Sequence, residues 1–331
     1  MPRLYPAHLI ACAILLAQPS FAEDSAEVSS VKITTLSTML TEFQGIGEWG
    51  YAALVEVDGR RLLFDTGGRP DTVLRNAREL GIDLSDIGIA VLSHNHWDHT
   101  GGLTTIRRTL REANPEAFSV THVAQGIFLP RVVSMDALSK LPPMPREFVV
   151  TATHVRDEYE SLGGTFVVHD EPFELYPGVW LTGPVPRAHP EKNWFPLGQI
   201  ETEDGLVEDN IPEDMALVIN TAKGLVVLTG CGHAGVVNIT EYARKIANAQ
   251  NVYAVIGGLH LMQATNENLA WTGEKLKEFG VQHLVGAHCT GIEAAFRLRD
   301  SAGLERSSAV VGAVGSTFTL EDGIIPGILA R

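Results

Sequence analysis

Three histidines and an aspartate fall within six positions of the stretch LSHNHWDHTGG, Leu92 to Gly102. His94 and His96 are two residues apart, and so are His96 and Asp98. In an extended or turning backbone, alternate side chains share a side. His94 and His96 can therefore hold one ion while Asp98 and His99 face a second beside it. Neutral imidazole and carboxylate are ligands that zinc takes from proteins. Gly101 and Gly102 let the backbone come close behind them. The alternative is a polar loop carrying surface histidines. An H-x-H-x-D-H cluster at the end of an apolar run fits that alternative poorly.

Three further histidines stand at comparable places. His233 follows GLVVLTGC, His260 follows VYAVIGGL and His288 follows HLVGA. Each comes just after an apolar, strand-like run, so all three can lie along one sheet edge. Taken singly, each also reads as a hydrogen-bonded histidine near a strand end. Cys231 and Cys289 both sit beside histidine, in CGH and HC. Thiolate beside imidazole is the pattern of a soft metal site. Cys231 is a metal ligand, half of a disulfide with Cys289, or a buried small residue; the sequence leaves these open. His169 and His189 read as supporting or surface groups.

The flanking patterns say which elements carry these residues. YAALVEV alternates, Asp58-Gly59 is a two-residue hairpin turn, and RRLLFD returns. PDTVLRNARELG reads as a helix with Pro70 at its start and Gly81 at its end. IGIAVLS is a short buried strand leading into the cluster, and GLTTIRRTLREANP a helix leaving it. From about Gln125 to Asp214 the pattern loosens and proline rises. Trp194 and the acidic run ETEDGLVEDNIPED in this stretch form a solvated loop or a lid over a cleft. MALVINTAKGLVVLTG then reads as two strands joined by a Lys-Gly turn. Helices follow near 235–249, 266–279 and 291–300, with strands VYAVIG and HLVGA between them and AVVGAVGSTFTL after. The order fits an α/β fold of two sheets packed face to face, with helices on both outer faces.

The chain has 331 residues and a formal net charge of −15. No basic run occurs, which argues against nucleic acid and against an anionic membrane surface. A hydrophobic content of 45% supports a real core. MPRLYPAHLIACAILLAQPSFA reads as a secretory leader, with Arg3, an apolar stretch from Leu9 to Ala17, and cleavage after Ala22. That apolar stretch is too short to span a bilayer. The expected compartment is the periplasm or the outside, and residues 23–331 form the folded part.

SHNHWDHTGG resembles the signature of the metallo-β-lactamase superfamily, and LLFDTGG is similar to that superfamily's first motif. VVLTGCGHAGVVNI, VIGGLHL, GAHCTG and GVWLTGPVPR are similar to its branch of dihydropterin–ribofuranosylaminobenzene phosphate synthase-like proteins. The resemblance spans roughly residues 31–320. It implies a four-layer αβ/βα sandwich with one or two metal ions at one edge, usually zinc, with iron and manganese as alternatives. It implies Asp65 as a buried support and His94, His96, Asp98 and His99 as the first ligand cluster. Cys231 stands where the superfamily usually carries the aspartate of a TGD strand end, and His260 fits the last ligand. The superfamily's middle histidine, usually in a G-H-T context, has no clear match, and His233 takes that role. The implied grouping is His94, His96 and His233 on one ion, and Asp98, His99, Cys231 and His260 on the other.

The activity expected from this set is hydrolysis of a small molecule (an ester, lactone, amide or phosphoester) by metal-activated hydroxide. Asp98 would orient the water, and His288 would meet the leaving group or a substrate anion. A synthase or transferase acting on a pterin-like or phosphoribosyl substrate is one alternative. A non-catalytic periplasmic metal or ligand binder is another. An exported chain would not easily reach the cytosolic substrates of pterin biosynthesis, which favours the hydrolase. The sequence does not give the oligomeric state.

Overall fold

The computed structural model describes residues 26–133, 152–194, 198–202 and 205–330. The leader and its cleavage position therefore lie outside the described residues. Two mixed sheets carry the fold. The first runs in spatial order Gly323–Ile325, Thr317–Thr319, Val31–Ser37, Ala52–Val57, Arg60–Phe64, Ile89–Val91, Val120–Ala124 and Thr165–His169. The second runs Ala309–Val311, His283–Ala287, Val252–Gly258, Leu225–Thr229, Leu217–Ile219, Val179–Leu181 and Phe173–Tyr176.

The hairpin at Asp58-Gly59 forms as the dipeptide requires. Both residues have positive φ, 46° and 78°, and Val57 pairs with Arg60 across the turn. That twist matches the flanking strands. Beyond it the chain needs crossovers. Arg60–Phe64, Ile89–Val91, Val120–Ala124 and Thr165–His169 are mutually parallel. So are Leu225–Thr229, Val252–Gly258, His283–Ala287 and Ala309–Val311.

Parallel strands covered on both faces read as unbroken apolar runs, and Leu225–Thr229 and Val252–Gly258 are buried at every position. Alternation then sorts their side chains into layers. Ile33, Val55 and Phe64 from the first sheet meet Leu181, Leu217, Leu228 and Ile256 from the second. On the outer face of the first sheet, Leu54, Leu63 and Ala90 pack on Val73, Ala77, Leu103 and Ile106 from helices Thr72–Glu79 and Leu103–Leu110. On the outer face of the second, Val218, Val227 and Val255 pack on Ile239, Leu269, Leu276 and Leu298 from helices Val236–Ile246, Asn266–Glu278 and Ile292–Ala302. The result is the four-layer αβ/βα sandwich.

The loosely patterned middle stretch is built into this frame. Thr165–His169 ends the first sheet, Phe173–Tyr176 and Val179–Leu181 end the second, and helix Ala152–Ser161 places Tyr159 in the outer core. Thr165–His169 and Phe173–Tyr176 are largely exposed or half-buried and lack the continuous apolar run that marks a buried strand. A separate three-stranded sheet joins Arg131–Val133, Gly198–Thr202 and Gly205–Glu208. Among the described residues no helix is long and apolar enough to cross a membrane.

His169 lies at the sheet edge, paired with His122. The two rings are stacked at 5.1 Å, 3° from parallel, with His122 Nδ1 2.8 Å from His169 Nε2. Phe173 of the opposite sheet lies 4.5 Å from His169. Burial, and then His169, hold His122 down from 6.5 to about 4. The unfolded chain takes up this proton below its ordinary value, whereas the folded one does not until about pH 4. The pair's stabilisation is therefore present above pH 6.5 and is lost as pH falls toward 4. His122→Asn keeps a hydrogen-bonding group near the Nδ1 position and removes the titration. It is expected to reduce the acid loss of stability by about 2 kcal/mol, read from urea midpoints between pH 7 and 4. Parallel curves for the two proteins would rule this out.

Candidate metal centre

The site forms where parallel strands from both sheets end, the edge at which open α/β sheets present ligands. Asp65 follows Arg60–Phe64, Ser93 and His94 follow Ile89–Val91, and Cys231 and His233 follow Leu225–Thr229. His260 follows Val252–Gly258 and His288 follows His283–Ala287. Asp65, His260 and His288 have φ of 58°, 47° and 47°. They are three of the seven non-glycine residues with positive φ among those described. Such conformations persist where surrounding contacts over-determine them, and they gather at functional sites.

Asp65 is fully buried and supports the cluster. Its Oδ1 accepts Ser93 N–H at 2.7 Å, and its Oδ2 accepts Ser93 Oγ–H at 2.8 Å. Oδ2 also lies 2.7 Å from His99 Nδ1. The first two motifs lock together through backbone: Thr66 N–H donates to His99 O, and Gly101 N–H to Gly67 O. A Cβ at Gly230 would lie 2.0 Å from Ser93 Oγ and 2.4 Å from Asp65 Oδ2. The glycine before Cys231 is thus what lets the second sheet close on this support.

Partner chemistry fixes how the imidazoles point. A carboxylate oxygen can only accept, so His99 Nδ1 carries the proton toward Asp65. The Ser93 hydroxyl donates to Asp65, so its oxygen accepts from His94 Nδ1, 2.9 Å away. His233 Nδ1 lies 2.6 Å from the Asn193 carbonyl and donates to it. All three rings therefore turn Nε2 toward the cluster. His94 Nε2 and His233 Nε2 are buried without a hydrogen-bond partner, and His99 Nε2 lies 3.1 Å from Cys231 Sγ. A tied-back Nδ1 with a bare Nε2 is how histidine is held for a metal.

The other site residues gather round these. His94 lies 4.6 Å from His96, 4.2 Å from His99 and 4.7 Å from His233, ring to ring. His233 lies 4.5 Å from His260, and His99 5.0 Å from His288. Asp98 Oδ2 is 3.1 Å from His288 Nε2 and 3.9 Å from His99 Nε2. Among the described residues, three groups of ligand atoms fall within 4.8 Å: His94, Cys231 and His233; His99, Cys231 and His288; Cys231, His260 and Cys289. Cys231 belongs to all three. These His and Cys groups could hold a metal ion, and buried bare nitrogens beside a thiol fit one.

The grouping differs from the one the sequence implies. His288, not His260, stands with His99 and beside Asp98, and His260 groups with the two sulfurs. Both cysteines are free thiols, with their sulfurs 3.2 Å apart. His189 stands off the cluster, its Nε2 2.9 Å from Glu241.

Burial and opposed charges set the electrostatics. Burial holds His94 and His233 well below 6.5 and His96 at about 4, so these three stay neutral. Burial also lowers His99, but Asp65 and Asp98 outweigh it and raise this ring to about 9. Burial raises Asp98, but His99 and His288 hold its carboxyl below the usual range. Burial and the adjacent Cys289 thiol push Cys231 up.

Several supporting residues carry no signal in the sequence. Glu213 is wholly buried and accepts from Asn95 N–H and Nδ2, at 3.2 and 2.8 Å, fixing the residue between His94 and His96. Arg131 bridges Glu213 and Asp209, at 2.6 and 2.8 Å. Asp214 accepts Ala234 N–H at 2.8 Å, next to His233. The end of the acidic run is thus buried scaffolding for the site. Trp49 packs edge-on against His288 at 5.2 Å.

Known proteins are similar to this chain in sequence and fold. The sequence model of the metallo-beta-lactamase superfamily matches residues 50–172. The 7,8-dihydropterin-6-methyl-4-(beta-D-ribofuranosyl)-aminobenzene-5'-phosphate synthase of Methanocaldococcus jannaschii is 32% identical over 284 residues, covering 81% of this chain and 90% of that one. The chain belongs to the metallo-β-lactamase superfamily. An uncharacterised protein of the same organism is 28% identical over 276 residues, covering 81% of this chain and 93% of its own. The crystal structure of Tm1679, a metal-dependent hydrolase of the β-lactamase superfamily, superposes with a TM-score of 0.68 at 25% identity, covering 88% of this chain and 99% of that one. The matched superfamily segment ends before Cys231. The thiol-bearing half of this metallo-β-lactamase site therefore rests on the geometry above.

Proposed function

We propose that this chain is a metal-dependent hydrolase of the metallo-β-lactamase superfamily, binding one or two ions, zinc first and iron or manganese as alternatives. The observation that carries the reading is the set of Nε2 atoms on His94, His99 and His233, each with Nδ1 tied back, converging on Cys231. In this reading His94, His96, His233 and Cys231 hold one ion, and Asp98, His99, His288 and the same thiol a second. His260 and Cys289 complete the sulfur side. A bound ion supplies Lewis acidity and brings the pKa of water from about 15.7 toward about 7. Asp98, kept ionised by its histidine neighbours, orients the attacking water and accepts a proton at its carboxylate. The proton that Asp98 accepts then goes to the leaving group, and His288 Nε2, 3.1 Å from Asp98 Oδ2, would serve as a ligand. The apolar leader read from residues 1–22 supports action outside the cytosol on a small molecule.

A second reading, a synthase on a pterin-like substrate, is favoured by the 32% identical relative. The two separate on a panel of esters, lactones, amides and phosphodiesters, run with zinc and with a chelator. A hydrolase turns over at least one class, loses it to the chelator and regains it with zinc. Silence across the panel, with product formed only when a dihydropterin and an aminobenzene acceptor are both present, would replace hydrolase by synthase.

A further inference from the structure

His233 takes its orientation from a stretch of chain that is neither strand nor helix. Its Nδ1 donates to the Asn193 carbonyl at 2.6 Å, and Asn193 lies in residues 182–194, between strand Val179–Leu181 and strand Gly198–Thr202. A loop holds a carbonyl in one place only if something else fixes the loop. Asn193 supplies one tie itself: its Nδ2 donates to Leu259 O, next to His260, at 3.2 Å. Glu191 supplies the other. Its carboxylate reaches the first turn of helix Val236–Ile246, where Oε1 accepts Val237 N–H at 3.2 Å and Oε2 accepts Asn238 N–H at 2.8 Å.

Those two donors are the ones that the side chain of an N-cap residue ordinarily satisfies. Here the N-cap residue is Gly235, which has no side chain to offer. A Cβ at Gly235 would lie 2.2 Å from Glu191 Oε2, and its φ of 98° suits glycine. The absent cap and the incoming carboxylate therefore share one space. An anion at a helix N-terminus also meets the positive end of the helix dipole. Asn238 grips the same loop from the helix side: its Oδ1 accepts His189 N–H at 2.7 Å, and its Nδ2 donates to His189 O at 3.2 Å. Glu191, Asn193 and Asn238 are all buried, and a buried carboxylate is tolerable only with such partners.

We propose that Glu191 is a positioning residue of the metal centre: by capping helix Val236–Ile246 from the loop, it sets the Asn193 carbonyl that keeps the His233 proton on Nδ1 and Nε2 open to an ion. The inference rests on the reading of His233 as a ligand. With the carbonyl in place, neutral His233 has one favoured tautomer. With the carbonyl displaced, the ring also carries its proton on Nε2, and the lone pair that a metal would use is lost. Glu191 thus acts on the ring through Asn193, not on the ion.

The test reads nitrogen-15 shifts of the His233 imidazole in metal-free protein, and zinc affinity by competition with a chromophoric chelator. The wild type is expected to show the proton on Nδ1. Glu191→Ala is expected to move a large share of it to Nε2 and to weaken zinc by about 10-fold or more, the scale for a lost partner one layer out. Glu191→Gln keeps the reach and one acceptor but turns an amide donor toward a backbone N–H, and is expected to fall between the two. It carries the same comparison if Glu191→Ala does not fold. Ile246→Ala, at the far end of the same helix, is the control for stability alone: it is expected to lower the urea midpoint and leave the His233 tautomer as in the wild type. A His233 tautomer unmoved by either Glu191 variant, or moved as far by Ile246→Ala, would reduce Glu191 to a helix cap. Wild-type protein that takes up no zinc would sink the metal reading, while the tautomer comparison, made without metal, would still decide whether Glu191 orients His233.

Discussion

Cys231→Ala is expected to empty the metal centre, whereas His260→Ala and His288→Ala each weaken only part of it. Its sulfur is the one atom common to all three ligand groups, so its removal takes a donor from every position at once. His260 and His288 each belong to a single group. Loss of a supporting partner one layer out already costs 10- to 100-fold in metal affinity or activity, and a shared direct ligand should cost at least about 100-fold. Elemental mass spectrometry of dialysed protein reads this directly, with circular dichroism to confirm the fold. Alanine leaves a small cavity where a thiol was fully enclosed, so some loss of stability is expected as well. Cys231→Asp separates the two effects. It restores an anionic ligand of the kind the superfamily usually places there, and it is expected to keep metal where alanine does not. Full metal content in Cys231→Ala would show that the thiol is only a buried neighbour. Metal loss equal to that of Cys231→Ala in His260→Ala would show that the sulfur is not the hub.

Much of this site was legible because ligand chemistry and strand ends coincide in the sequence. The H-x-H-x-D-H run, and His233, His260 and His288 each placed after an apolar strand, name six histidines that the fold does bring together. What the sequence withheld was adjacency. His260 and His288 follow neighbouring parallel strands, and nothing in either motif says which of them turns toward Asp98. That depends on left-handed backbone at both residues, which a sequence rarely announces outside glycine. Cys289 was visible as a residue beside histidine, yet its place 3.2 Å from Cys231 comes from sheet register. The acidic run misled for a physical reason. Composition marks it as solvated, but Arg131 neutralises Asp209 and Glu213 from 78 and 82 residues away, and only tertiary pairing makes such burial tolerable. The two sheets and their covering helices were readable because periodicity survives in strands and helices of ordinary length. The strands of the middle stretch, Thr165–His169 and Phe173–Tyr176, are only partly buried and show no such apolar run.

Asp65→Asn is expected to leave the fold standing and still disable metal binding, because it reverses the direction of two hydrogen-bond relays. The carboxylate accepts at three places: Ser93 N–H on Oδ1, and Ser93 Oγ–H and His99 Nδ1–H on Oδ2. Asparagine has nearly the same shape, and its Oδ1 still takes the Ser93 amide. Its Nδ2 then stands where Oδ2 was, a donor facing two donors. His99, without the Asp65 carboxylate that helps raise it to about 9, gives up its Nδ1 proton and keeps the one on Nε2, which points at Cys231. The Ser93 hydroxyl turns away and donates to His94 Nδ1, so His94 also carries its proton on Nε2. Both rings then fix N–H toward the place where a metal would take Nε2, with hardly an atom displaced. Metal affinity is expected to fall by at least 10- to 100-fold. Asp65→Ala, by contrast, strands buried partners and is expected to cost about 3–5 kcal/mol of stability. Nitrogen-15 chemical shifts of the imidazoles distinguish the tautomers in metal-free protein. In the wild type His94 should carry its proton on Nδ1, and in Asp65→Asn on Nε2. A variant that loses metal without a tautomer change would mean that Asp65 acts by charge alone. One that keeps both metal and tautomer would remove Asp65 from the site.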